Sequence, residues 1–108
     1  MTQITVKSAL ATLEQKEVAF TELFQHGSLT VECYRPHVVD EQQPHARDEV
    51  YVVISGSGMF FNDGISLPFS AGDVLFVPAA KEHRFVDFTD DFATWVFFYE
   101  PDGGEHNE

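Results

Sequence analysis

Only one cysteine, Cys33, stands in the 108 residues, so no internal disulfide can form and the core must hold without a covalent staple. Basic residues are scarce too: six Lys and Arg face eighteen Asp and Glu, a formal charge of −12. That balance repels phosphate backbones and anionic lipid surfaces, which argues against nucleic-acid and membrane partners. No apolar run approaches the roughly 18 residues needed to span a bilayer, and the N-terminus shows neither the basic flank nor the apolar core of a signal peptide. The expected setting is the cytoplasm. No G-x-S-x-G, phosphate-cradling glycine loop or C-x-x-C is present, which leaves serine-hydrolase, nucleotide and zinc-ribbon chemistry without support.

Aromatic residues are plentiful: eleven Phe, three Tyr and one Trp. With many Val they favour strands, and a chain of this length makes one domain, 1–108, burying roughly two thirds of its unfolded surface. Ser8 to Leu13 place apolar residues at 9, 10 and 13, which predicts a short N-terminal helix capped by Ser8. Val18 to Phe24 and Leu29 to Tyr34 read as strands joined by the turn His26-Gly27-Ser28. From Arg35 to Gln43 the chain turns polar, and Pro36 and Pro44 make this a loop or irregular edge. Glu49, Tyr51, Val53 and Ser55 then share one strand face and Val50, Val52 and Ile54 the other. Both faces are largely apolar, so cover on both sides is expected. Gly56-Ser57-Gly58 and Asn62-Asp63-Gly64 bracket the strand Met59 to Phe61 and start a hairpin. Ser70 to Asp73 turns into a buried strand Val74 to Val77, Pro78 to Glu82 is a loop delivering His83, and Thr89 to Asp91 turns into the strand Ala93 to Tyr99. Residues 101–108 form a loose polar tail. Eight or so short strands with no second helical block give an all-β closed or double-sheet architecture.

Two stretches carry chemistry, Pro44 to Gly56 and Gly72 to His83. His45 and Glu49 would lie roughly 13 Å apart on a straight strand, too far to share an ion. A turn at Ala46-Arg47-Asp48 brings them together, and His83 can arrive from a third strand. Two imidazoles and a carboxylate suit a divalent transition metal, with iron favoured where coordination positions stay open.

These stretches resemble the cupin family. Its first motif has the form H-x-H, three or four residues, Glu, six residues, Gly; here three residues separate His45 from Glu49 and six separate Glu49 from Gly56. Its second has the form Gly, five residues, Pro-x-Gly, two residues, His, three residues, Asn, and Gly72, Pro78 and His83 hold those positions. Fifteen residues lie between Gly56 and Gly72, similar to the short spacer of small bacterial members. The resemblance covers about residues 29 to 99. Gln43 stands where the first His would be, Ala80 where the Gly and Asp87 where the Asn. Among closed β architectures the resemblance implies a jelly-roll barrel of the RmlC-like kind, a homodimer paired through outer sheets, and one divalent metal, Fe, Mn, Ni or Zn, on His45, Glu49 and His83. Gln43, with Gln42 as fallback, is a weak fourth donor; without it three ligands leave positions for water, oxygen or substrate.

Tyr51, Phe60, Phe76, Phe85 and Trp95 or Phe97 are core residues first and pocket lining second, suiting a small organic ligand. His26, His37 and His106 read as turn, loop and tail. Arg35, Arg47 and Arg84 can meet a substrate carboxylate or serve as surface ion-pair partners. Three functions fit. One is a metal-dependent enzyme, an iron or manganese oxygenase acting on a small molecule. The second is a non-catalytic cupin that binds a small ligand or keeps a structural metal. The third is a metal-independent sugar isomerase or epimerase with a His or Tyr base. An open coordination position on a roomy pocket favours the first; a closed ligand shell or a mouth filled by Phe favours the second.

Overall fold

In the computed structural model, which describes residues 2–40 and 45–99, the described residues form one helix and eight strands. The helix α1, Val6–Lys16, starts one turn earlier than its apolar pattern suggests, because Thr5 is the better-placed cap. Its Oγ1 accepts the Ser8 N–H at 3.0 Å and its carbonyl accepts the Ser8 hydroxyl at 3.0 Å. Ser8 therefore lies inside the first turn and is not the cap. Glu14, Gln15 and Lys16, all good helix formers, carry the helix past Leu13 until Glu17 leaves it at φ 54°.

The strands are β1 (Phe20–His26), β2 (Leu29–Tyr34), β3 (Asp48–Ser55), β4 (Ser57–Asn62), β5 (Ile65–Ser70), β6 (Val74–Val77), β7 (His83–Val86) and β8 (Ala93–Tyr99). All pairs are antiparallel. One sheet runs β1-β2-β8-β3-β6 and the other β5-β4-β7. The last strand inserts between the first hairpin and β3, and the two sheets close on each other as an all-β jelly-roll barrel. Between them lie Tyr34, Tyr51, Val53, Phe60, Phe69, Val77, Phe85, Phe92, Val96 and Phe98. Phe85 sits at their centre, its ring 4.7 Å from Phe60 and Phe92, 4.9 Å from Tyr51 and 5.3 Å from Phe69. Gly56 lets the β3–β4 corner turn tightly over this plug: at φ 85°, a Cβ there would meet the Phe92 backbone at 2.6 Å.

A second cluster lies outside the barrel, where α1 covers the five-stranded sheet. Ala9, Leu13 and Cys33 are buried there, with Leu10, Leu23, Ile54 and Trp95 packed around them. Burial pushes the Cys33 thiol up to about 11, which makes it an inert packing residue. The helix covers only part of this face. Beyond it, β6 is the sheet's edge strand, and Val74 and Phe76 are 66% and 48% exposed. The buried strand expected at 74–77 is thus buried on one side only, and the outer face of β3 at Val50 and Val52 is half-covered.

Candidate metal centre

Glu49 is the second residue of β3 and His83 the first of β7, so each begins the inward-facing row of its strand. Both are buried, Glu49 completely. His45 precedes β3, and the bend at Ala46 and Arg47 returns its half-buried ring over the strand. One ligating atom from each of the three residues lies within 4.8 Å of the others. The His45 ring rests 5.3 Å from that of His83 and edge-on at 5.0 Å to Phe98. The expected turn at 46–48 does bring His45 and Glu49 together, although β3 already begins at Asp48.

The hydrogen bonding of this group has a direct chemical reading. His83 Nδ1 lies 3.0 Å from the Lys81 carbonyl, which can only accept, so Nδ1 carries the proton and a neutral ring presents a lone pair at Nε2. That nitrogen is 2.8 Å from Glu49 Oε1, off the hydrogen-bonding direction. Nε2 and both Glu49 oxygens have no hydrogen-bond partner among the described residues. Buried lone pairs facing one another need a proton or a cation between them. Burial pulls His83 toward lower pKa, but Glu49, the Lys81 carbonyl and Asp40 outweigh it, and the net direction is up. Burial also lowers His45; His83 adds to this, while Glu49 and Asp40 oppose it. A neutral His45, a His83 anchored through its other nitrogen and an orphaned carboxylate are the donor set a transition metal takes.

The β6–β7 loop is tied to the His45 segment by its backbone. Ala79 donates to Asp48 Oδ1 at 2.7 Å, and Ala80 donates to the His45 carbonyl at 2.7 Å. Ala80 and Asp87 both have left-handed backbones, φ 66° and 52°, at the two positions where the motif has Gly and Asn, residues that adopt this conformation easily. The departures from the motif therefore keep the turns: Ala80 does so with strain, while Asp87 tolerates the left-handed backbone much as Asn does.

Gln43, Gln42 and His106 lie outside the described residues. His26 and His37 are exposed, at the end of β1 and in the loop after β2. Tyr51, Phe60 and Phe85 belong to the core plug and line no described cavity. Phe76, Trp95 and Phe97 are corrections. Phe76 lies exposed on edge strand β6; Trp95 packs under α1, and Phe97 shares that outer face by strand alternation. The inward residues of β8 are Val96 and Phe98. Arg84 is exposed. Arg47, expected to meet a carboxylate, instead donates to the Ser28 carbonyl at 2.8 Å and to Thr30 Oγ1 at 3.2 Å and lies over the Phe98 ring.

Beside His45, though not lined by Glu49 or His83, opens a cavity of about 350 Å³, walled by Phe20, Glu32, Tyr34, His45, Ala46, Arg47, Val96 and Phe98. Residue-level patterns missed Glu32, Tyr34 and Asp40. The Tyr34 hydroxyl donates to Asp40 Oδ1 at 2.6 Å, and Asp40 Oδ2 accepts the Phe85 N–H at 2.9 Å, which stitches the loop after β2 to β7 beside His83. Glu32 is held above the usual carboxylate range chiefly by burial, then by Glu22 and Glu49, with Arg47 pulling the other way.

Among known proteins, a family model for the cupin domain matches residues 30–106. An uncharacterised protein of Streptomyces coelicolor is 30% identical over 86 residues, covering 78% of this chain and 82% of its own. A Rhizobium leguminosarum structure of unknown function superposes with a TM-score of 0.74 at 19% identity, covering 94% of this chain and 98% of that one. A cupin 2 conserved barrel domain protein from Salinispora arenicola gives 0.63 at 23% identity, over 75% and 74% of the two chains. At these identities the structural likenesses speak for the fold alone.

Proposed function

The chain belongs to the cupin domain family, and from that membership we propose that it is a metal-dependent enzyme of oxygenase type, acting on a small organic molecule with iron or manganese held by His45, Glu49 and His83. The observation that carries this is the orphaned pair His83 Nε2 and Glu49, 2.8 Å apart, next to a cavity walled by His45. Three protein donors leave coordination positions open beside a cavity of about 350 Å³, which favours a substrate chamber over a purely structural ion.

When bound, the metal supplies Lewis-acid polarisation and one-electron chemistry at the cavity wall. The chain's own residues do the rest. Lys81 fixes the His83 ring through Nδ1, and Ala79 and Ala80 pin the His45–Asp48 segment. Val96 and Phe98 make the adjoining wall apolar, so a bound ligand displaces water there. Gln43 is a candidate fourth donor.

The test is oxygen uptake by protein loaded anaerobically with iron, over a panel of small aromatic and dicarbonyl compounds, beside a His83→Ala variant. Uptake that depends on a panel member and vanishes in the variant supports an oxygenase. Stoichiometric metal with no turnover on any compound points to a ligand-binding cupin. A metal-independent isomerase has one observation in its favour, the Tyr34 hydroxyl held on the Asp40 carboxylate at the cavity wall; it requires activity that survives chelation.

A further inference from the structure

Glu32 occupies the middle of β2 and faces inward, with Glu22 directly across from it on β1 and Val96 on β8. Glu32 is half-buried, and a charged side chain so placed gains from a counter-group, yet it forms no hydrogen bond or ion pair among the described residues. Like charges directly opposite on paired strands destabilise the sheet, and Glu49 brings a third carboxylate from the metal side. Among the described residues, the one lysine or arginine lining the cavity is Arg47. Its N–H groups are donated to Ser28 and Thr30, and its guanidinium lies 5.3 Å over Phe98, so it serves as wall and anchor for the start of β2 and acts on Glu32 only at a distance, without a hydrogen bond or ion pair. The surrounding chain, at −12, adds to the negative field.

We propose that this end of the cavity is a subsite for the protonated amine of a small, apolar-bodied ligand, with the ammonium seated against Glu32 beside the rings of Phe20 and Tyr34. Aromatic rings attract cations as carboxylates do, whereas a ligand carboxylate here meets Glu32, with Glu22 adding to the repulsion from across the strand pair. β8 alone separates the strands of Glu32 and Glu49, so the two backbones lie about 10 Å apart across the sheet. A cavity of about 350 Å³ is at the small end of ligand sites. One ring or a short chain, with an amine at one end and a metal-seeking oxygen at the other, fits that span. This assignment rests on the cavity being the substrate chamber and adds the charge of what enters it.

The experiment is calorimetric titration of metal-free protein at low salt and pH 7 with phenethylamine and with phenylacetate, which differ chiefly in the charge of the end group. The wild type is run beside Glu32→Gln and beside Asp90→Asn, an exposed turn residue whose substitution changes net charge equally. The amine is expected to bind at least tenfold more tightly than the acid, with a loss of about tenfold in Glu32→Gln and none in Asp90→Asn; thermal melts confirm that both variants fold. Equal or tighter binding of the acid overturns the subsite, as does an unchanged amine affinity in Glu32→Gln or an equal loss in both variants. Because the titration needs no metal, its failure is separable from failure of the metal centre. Protein that refuses metal but keeps the Glu32-dependent preference leaves the subsite standing and removes the oxygenase. Protein that takes metal without the preference does the reverse.

Discussion

In one half of the barrel interior, Phe60, Phe69, Phe85 and Phe92 fill the space ring against ring; in the other, Glu32 and His45 wall a cavity, and Glu49 and His83 meet His45. Two strands, β3 and β7, contribute to both. Along β3 the inward row is Glu49, Tyr51, Val53, and along β7 it is His83, then Phe85. A step of two residues, one period of the strand, separates a candidate ligand from the centre of the core. Stability is therefore concentrated in one half, and the other can carry unpaired polar groups whose burial costs free energy.

The largest effect expected from breaking this division is in the plug. Phe92→Ala removes a fully buried ring that contacts three others, and should cost about 3–5 kcal/mol in denaturant unfolding. Metal bound per folded chain should stay unchanged; a parallel loss of metal would show that the two halves are not separable.

Asp48→Ala cuts the hydrogen bond to Ala79 that ties the β6–β7 loop to the start of β3. Metal affinity should fall about 10–100-fold, as for other residues that orient ligands, with a smaller change in unfolding free energy than Phe92→Ala. Competition with a chelator measures the first and denaturant titration the second. Unchanged affinity would demote Asp48 to a structural residue.

The smallest effect is a gain. Ala80→Gly relieves a left-handed alanine at φ 66° and should add about 1 kcal/mol, raising the melting temperature by about 4 °C without altering metal content. No rise would mean that the greater freedom of glycine in the unfolded chain offsets the relief.

The two halves also differ in how legible they are in the amino-acid sequence. The strands, their turns and the approach of His45, Glu49 and His83 can be read locally, because motif spacing and turn residues act over a few positions. Glu32 cannot. In β2, Leu29, Val31 and Cys33 alternate with Thr30, Glu32 and Tyr34, which suggests that Glu32 faces solvent. The helix α1 reverses this by covering the Cys33 side, and that contact is tertiary. Trp95 and Phe97 against Val96 and Phe98 pose a similar problem: both rows of β8 are apolar, so alternation identifies two faces without saying which is inside. Phe76 is misplaced by its pattern because β6 is an edge strand, a property of sheet order. Asp40 lies in a polar loop and has no local signal at all; its bonds to Tyr34 and to the Phe85 N–H are made in the tertiary fold, the second only once β7 has folded against it.

The central claim is that His45, Glu49 and His83 hold one metal ion. Its most direct test is elemental analysis of tag-free protein purified anaerobically, wild type beside His83→Ala, with circular dichroism to show that both are folded. The expected result is close to one iron or manganese per wild-type chain and none in the variant. A variant that keeps full occupancy, or a folded wild type that carries no metal and refuses added metal, would contradict it.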